Sequence, residues 1–177
     1  MKNILFSLAI LCIPGLLTSC GSTMKSVVDH NELKQPYKSS LMVILYDPGV
    51  TKHFSEKVKE RLEVNIQQDG KKAEFIMVKK NEPKELALNH RDSVSEMIET
   101  SVRKNDVGVV VIFRPIHYTF QNGSIAEVIY LVTALDVSTK KEVWKAEVKS
   151  AGYFGLSGSA GKTADLIYGR LCGEGVI

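Results

Sequence analysis

Leu41-Met42-Val43-Ile44-Leu45-Tyr46-Asp47-Pro48-Gly49 decides how the rest of the chain is read. An unbroken apolar run ended by a turn signal marks a strand buried on both faces, and such strands sit inside sheets that helices cover. Just downstream, Phe54, Val58, Leu62 and Ile66 recur at every fourth position among Lys and Glu, and Asp69-Gly70 stops the pattern. An amphipathic helix therefore spans Thr51 to Gln68. A second apolar strand over Ala73 to Val78 completes a βαβ unit, whose two strands lie parallel.

The same logic extends toward the C-terminus. Ser93-Val94-Ser95-Glu96 has the form of a capping box and opens a helix with Val94, Met97, Ile98 and Val102 on one face, closed by Asn105-Asp106. Val107 to Phe113 is a third central strand. The pattern then switches, because Arg114 to Gln121 is extended, polar and aromatic, and it meets Asn122-Gly123, the strongest short hairpin signal. Ser124 to Val137 returns antiparallel and Ser138 to Lys141 turns the chain. Glu142 to Lys149 then alternates Trp144, Ala146 and Val148 inward against Lys145, Glu147 and Lys149 outward. Pro115 lacks a backbone donor and calls for a bulge or an edge. A Gly- and Ser-rich loop, Gly152 to Gly161, leads to a last helix over Thr163 to Cys172. The order β-α-β-α-β-β-β-α predicts an α/β domain over residues 41–177. Its mixed five-stranded sheet has three parallel strands from βαβ units plus an antiparallel meander, with helices packed on it.

Upstream of Leu41, residues 21–40 are polar, contain Pro36 and show no sustained periodicity, so residues 20–40 read as a tether with a reach of about 25 Å. Before them, Lys2 precedes an apolar stretch from Ile4 to Leu17 broken by Pro14-Gly15, which is too short and too interrupted to span a bilayer and reads as a signal peptide over residues 1–19. Leu17-Thr18-Ser19-Cys20 resembles the lipobox of bacterial lipoproteins at all four positions. That resemblance implies that Cys20 becomes the first residue of the mature chain and carries acyl chains such as palmitate. A thiolate is the side chain nucleophilic enough to take a diacylglycerol as a thioether. At about 0.8 kcal/mol per buried methylene, two or three chains hold a protein to a membrane essentially permanently. Gly21-Ser22 lacks the Asp that the family uses for inner-membrane retention, which implies a lipid-anchored location on the outer membrane, facing the periplasm.

A second resemblance rests on Leu135-Asp136-Val137-Ser138-Thr139-Lys140-Lys141-Glu142-Val143-Trp144. With the order of elements, this hairpin is similar to that of small periplasmic lipoproteins related to the curli-secretion lipoprotein. It also resembles the penicillin-binding-protein activator lipoproteins and the amino-terminal domain of the Tol-Pal propeller protein. The resemblance implies a fold more than a task.

Composition narrows the function. Removing the signal leaves about 160 residues, enough for one domain that buries about 70% of its unfolded surface. The net charge of +3 comes from dispersed charges of both signs, so no nucleic-acid partner is expected. Cys12 lies in the signal and Cys20 is acylated, which leaves Cys172 without a disulfide partner, either as a small core hydrophobe or as a reactive thiol. His30, His53, His90 and His117 are scattered without ligand spacing, so no metal or cofactor is expected. Gly158-Ser159-Ala160-Gly161-Lys162-Thr163 imitates a phosphate loop, but Leu156 stands where that motif needs glycine, and no nucleotide is expected. Thr163 then reads as a helix cap.

Asp47 and Arg114 follow strands that would neighbour one another, at the sheet edge where α/β folds bind ligands. They either floor a small-molecule site or form a salt bridge beside a turn. Tyr118 and Phe120 lie on the ribbon beyond the core and either contact a partner or pack on a helix. With no nucleophile and base in a recognisable pattern, a non-enzymatic role is expected. The expectation is a protein-binding accessory factor in envelope transport, secretion or cell-wall assembly. The alternatives are a ring-forming secretion-channel component and a small-molecule binder or hydrolase using Asp47 and Arg114.

Overall fold

The computed structural model describes residues 21–80, 93–152 and 156–177. The elements are β1 (Ser22–Val28), β2 (Ser39–Tyr46), α1 (Lys52–Gln68), β3 (Lys72–Lys79), α2 (Ser93–Asn105), β4 (Val109–Gln121), β5 (Ser124–Asp136), β6 (Glu142–Ala151) and α3 (Ala160–Gly173). A single 3-10 turn, Leu156–Gly158, precedes α3. The α/β class holds, with a mixed sheet in the order β1-β6-β5-β4-β2-β3. β2 pairs in parallel with both β3 and β4, as the two βαβ units require, and β4, β5, β6 and β1 follow antiparallel.

Alternation along the strands distributes the apolar side chains to two cores. Met42, Ile44, Val109, Val111 and Phe113 face α1 and α3, where they meet Phe54, Val58, Leu62, Ile167 and Leu171, with Trp144 fully enclosed. Leu41, Val43 and Val110 face the other way and pack with Ile98 and Val102 of α2. Three predicted details appear in place. Asn122 and Gly123 both take positive φ, 52° and 76°, as a tight hairpin turn demands. The ladder between β4 and β5 slips between Pro115 and His117, which leaves Ile116 as the bulged residue. Lys145, Glu147 and Lys149 are exposed while Trp144, Ala146 and Val148 are buried.

The sheet has six strands rather than five, and the extra one comes from the segment expected to be a tether. Ser22–Val28 pairs along its whole length with β6, from Ser22 opposite Ser150 to Val28 opposite Trp144. Met24 and Val28 pack on the core, as do Leu33 and Tyr37 from the connection to β2. The chain from residue 21 to 40 is thus part of the domain. The physical reason it was missed is that Ser22 and Ser26 occupy inward positions, so the apolar alternation of a half-buried strand is diluted. α3 also begins earlier than Thr163. Ser159 is its N-cap residue, and Thr163 lies inside the helix, buried, instead of capping it. The capping box proposed over Ser93 to Glu96 involves side chains outside the described residues.

Candidate functional site

The end of the sheet where β2 and β4 finish their parallel run gathers most of the residues singled out from sequence. β2 leaves the core at Tyr46, and the turn that follows is closed by Val50 and Thr51 amides donating to the Asp47 carbonyl at 3.0 and 2.9 Å. The Asp47 amide in turn donates to Thr51 Oγ1 at 2.9 Å. One turn into α1, Ser55 Oγ lies 2.7 Å from Tyr130 Oη, and Phe54 stacks on the Tyr130 ring at 5.9 Å. Burial above all pushes the Tyr130 phenol up to about 12, with Asp47 adding to the rise and the Ser55 and Thr51 hydroxyls opposing it. This phenol stays neutral and serves as a structural hydrogen-bonding group under the first turn of α1.

Asp47 and Arg114 are not brought together. The cation beside Asp47 Oδ2 is Lys80, at 3.7 Å. Arg114 is exposed on the face of β4 opposite Phe113, whereas Asp47 stands on the α1 side, close enough to act on Tyr130. Alternation along β4 separates them.

Tyr118 and Phe120 do meet, with rings edge to face at 5.9 Å. They sit where the β4–β5 ribbon runs on past the end of β2, Tyr118 still level with Ser150 of β6 and Phe120 beyond β6. Phe120 is 58% exposed and the bulged Ile116 is 48% exposed, so this ribbon shows solvent a concentration of large apolar side chains.

Cys20 lies outside the described residues, as do the rest of the lipobox, the signal segment, Cys12 and His90. The residues next to Cys20 are held firmly. The Ala151 amide donates to the Gly21 carbonyl at 3.4 Å, and Ser22 Oγ lies 2.7 Å from Thr163 Oγ1. Thr163 Oγ1 is also 2.9 Å from Ser150 Oγ, which is 2.8 Å from Ser159 Oγ, and Ser159 Oγ donates to the Leu156 carbonyl at 2.8 Å. This chain of buried hydroxyls satisfies polar groups that would otherwise be costly inside, and it ties β1, β6 and α3 together at one end.

Sequence reasoning missed two carboxylates that organise the opposite end. Tyr37 Oη donates to Asp136 Oδ2 at 2.6 Å, while Ser138 Oγ and the Thr139 amide donate to Asp136 Oδ1. Burial works against the Asp136 charge, but these bonds outweigh it and hold its carboxyl well below the usual range; burial and Asp136 together raise the Tyr37 phenol. Glu174 accepts from Ser26 and from Trp144 Nε1 and pairs with Arg170 at 3.2 Å. Burial again opposes, and the partners again leave its carboxyl below the ordinary value. Both carboxylates are structural. The local bonds to Ser138, Thr139 and Arg170 are ordinary turn and helix-end contacts, and the partners that make these carboxylates organising groups, Tyr37, Ser26 and Trp144, lie far away in sequence.

Cys172 packs half-buried against the larger core. An open groove of about 560 Å³ runs between Ile98 and Val102 of α2 and Ile112 and Leu135 of the sheet. Among the described residues no group of three His, Cys, Asp or Glu side chains is placed to hold a metal ion, and no helix is long and apolar enough to cross a membrane.

No family model matches the chain, and no curated protein matches it. Solved structures match by fold. A point variant of the PelC dodecamer from Paraburkholderia phytofirmans aligns over 84% of this chain and 96% of that one, at 15% identity and a TM-score of 0.50. The PelC dodecamer from the same organism in another space group aligns over 82% and 96%, at 13% identity and a TM-score of 0.50. At these identities the likeness is one of fold.

Proposed function

We propose that this chain is a lipid-anchored protein of the bacterial envelope that works by protein–protein contact, without catalysis, as an accessory factor to transport, secretion or cell-wall assembly. The lipobox at Leu17 to Cys20 supports the anchor and, with Gly21-Ser22 after it, the outer-membrane location. The fold supports the mode of action, because the same architecture in the PelC chains is found as dodecamers. A domain with this arrangement of strands and helices can present surfaces that match other copies of itself.

The dodecamers favour a second, narrower reading, in which the first partner is another copy of this chain and the assembly is a closed ring. A heterologous contact repeated by rotation closes into a ring, and a short anchor on every protomer would align all of them on one membrane. Crosslinking in cells tests both readings. A ladder of homo-oligomers supports the ring, discrete crosslinks to one envelope protein support the accessory role, and a monomer without specific crosslinks overturns both.

A further inference from the structure

We infer that the tip of the β4–β5 ribbon, from Phe120 to Ile125, is a second membrane contact, which lies in the headgroup layer of the bilayer that holds Cys20. The inference rests on the proposed acylation of Cys20 and adds a place and an orientation to it.

Strand register carries the argument. Gly21 is fixed to the end of β6 through Ala151, and β1 starts pairing at Ser22. Cys20 is one peptide unit away, about 3.8 Å between Cα atoms. The acyl chains therefore leave the domain beside Ala151, with no leash between fold and lipid. Ala151 stands opposite Glu127 of β5. Beyond that level the β4–β5 ribbon continues through Ala126, Ile125 and Ser124 to the Asn122-Gly123 turn, and it returns along Gln121 and Phe120. At about 3.3 Å per residue the tip reaches roughly 10 Å past the anchor point. The headgroup region of one leaflet is about 5–8 Å deep, so a domain held this closely by its first residue puts the tip into it.

The side chains fit that position. Phe120, opposite Ile125 and past the anchor level, is 58% exposed, and the Tyr118 ring, one residue pair short of that level, packs against it. Aromatic rings with a polar tip or a polar flank are at home at a bilayer interface, and Thr119 and Gln121 supply the polar flank. Val27, 73% exposed, gives an internal contrast. It pairs with Lys145, seven residues and about 23 Å along the chain from the anchor, and so belongs in water.

The test uses full-length acylated protein in vesicles of phosphatidylethanolamine and phosphatidylglycerol, some of them brominated part-way along one acyl chain. Phe120→Trp and Val27→Trp are compared with the parent, whose single Trp144 is enclosed in the core. The added emission of Phe120→Trp is expected to fall by about half in brominated vesicles, while that of Val27→Trp is unchanged. If the mass of the extracted protein shows acyl chains and Phe120→Trp is quenched no more than Val27→Trp, the ribbon faces water or another protein and the inference is overturned. A mass without acyl chains overturns the anchor itself.

Discussion

Tyr37 Oη and Asp136 Oδ2 are 2.6 Å apart and join the segment before β2 to the turn between β5 and β6, across 99 residues of sequence. That bond makes the polar stretch around Pro36 a working part of the domain. Tyr37→Phe keeps the ring and removes the donor to a charged acceptor. The expected cost is about 1–2 kcal/mol, seen as a fall in Tm of about 2–8 °C. An unchanged Tm would mean that the segment is only loosely attached.

Asp136 and Glu174 both have carboxyl groups held below their ordinary values in the folded chain. A depressed folded-state pKa adds stability above the unfolded-state value of about 4, and that stability is lost as pH falls through the folded-state value. Acidification from about pH 5 to about pH 3 is therefore expected to lower the urea midpoint. Asp136→Asn should flatten part of that dependence, measured as urea midpoints across the acid range.

Thr163 links Ser22 of β1 with Ser150 of β6 from inside α3. Thr163→Val conserves the shape and leaves the half-buried Ser22 hydroxyl without its partner, while Ser150 keeps Ser159, at an expected cost of about 1 kcal/mol. Loss of amide protection at Ser22 and Thr23, read by hydrogen exchange, would show that the same bond fixes the start of β1.

Deleting residues 21–28 removes all of β1 and exposes the edge of β6 where Trp144, Ala146 and Val148 alternate. The expected loss is on the order of 3 kcal/mol or more, with aggregation through the bared edge. A segment acting only as a leash would leave the urea midpoint unchanged.

The parallel half of the fold was legible because its strands are continuous apolar runs and its helices repeat at four residues, signals that need no distant partner. The Asn122-Gly123 hairpin and the slip at Pro115 were legible for local reasons too, positive φ and a missing donor. β1 was not, because Ser22 and Ser26 face inward and their partners, Thr163 and Glu174, lie 141 and 148 residues away. α3 starts early because Ala160 and Ala164 let the helix sit close against the core, which a Gly- and Ser-rich sequence alone reads as loop. Of the site, the aromatic pair was legible as a ribbon feature. The separation of Asp47 from Arg114 was not, since it depends on which side of the sheet the turn after β2 and the Arg114 position of β4 face.

The most direct test of the proposed function is native mass spectrometry of the protein extracted in mild detergent from membranes. The expected result is chains that begin at Cys20, each heavier by two or three acyl chains, in complexes that contain more than one copy or a defined envelope partner. A monomer without acyl chains would contradict it.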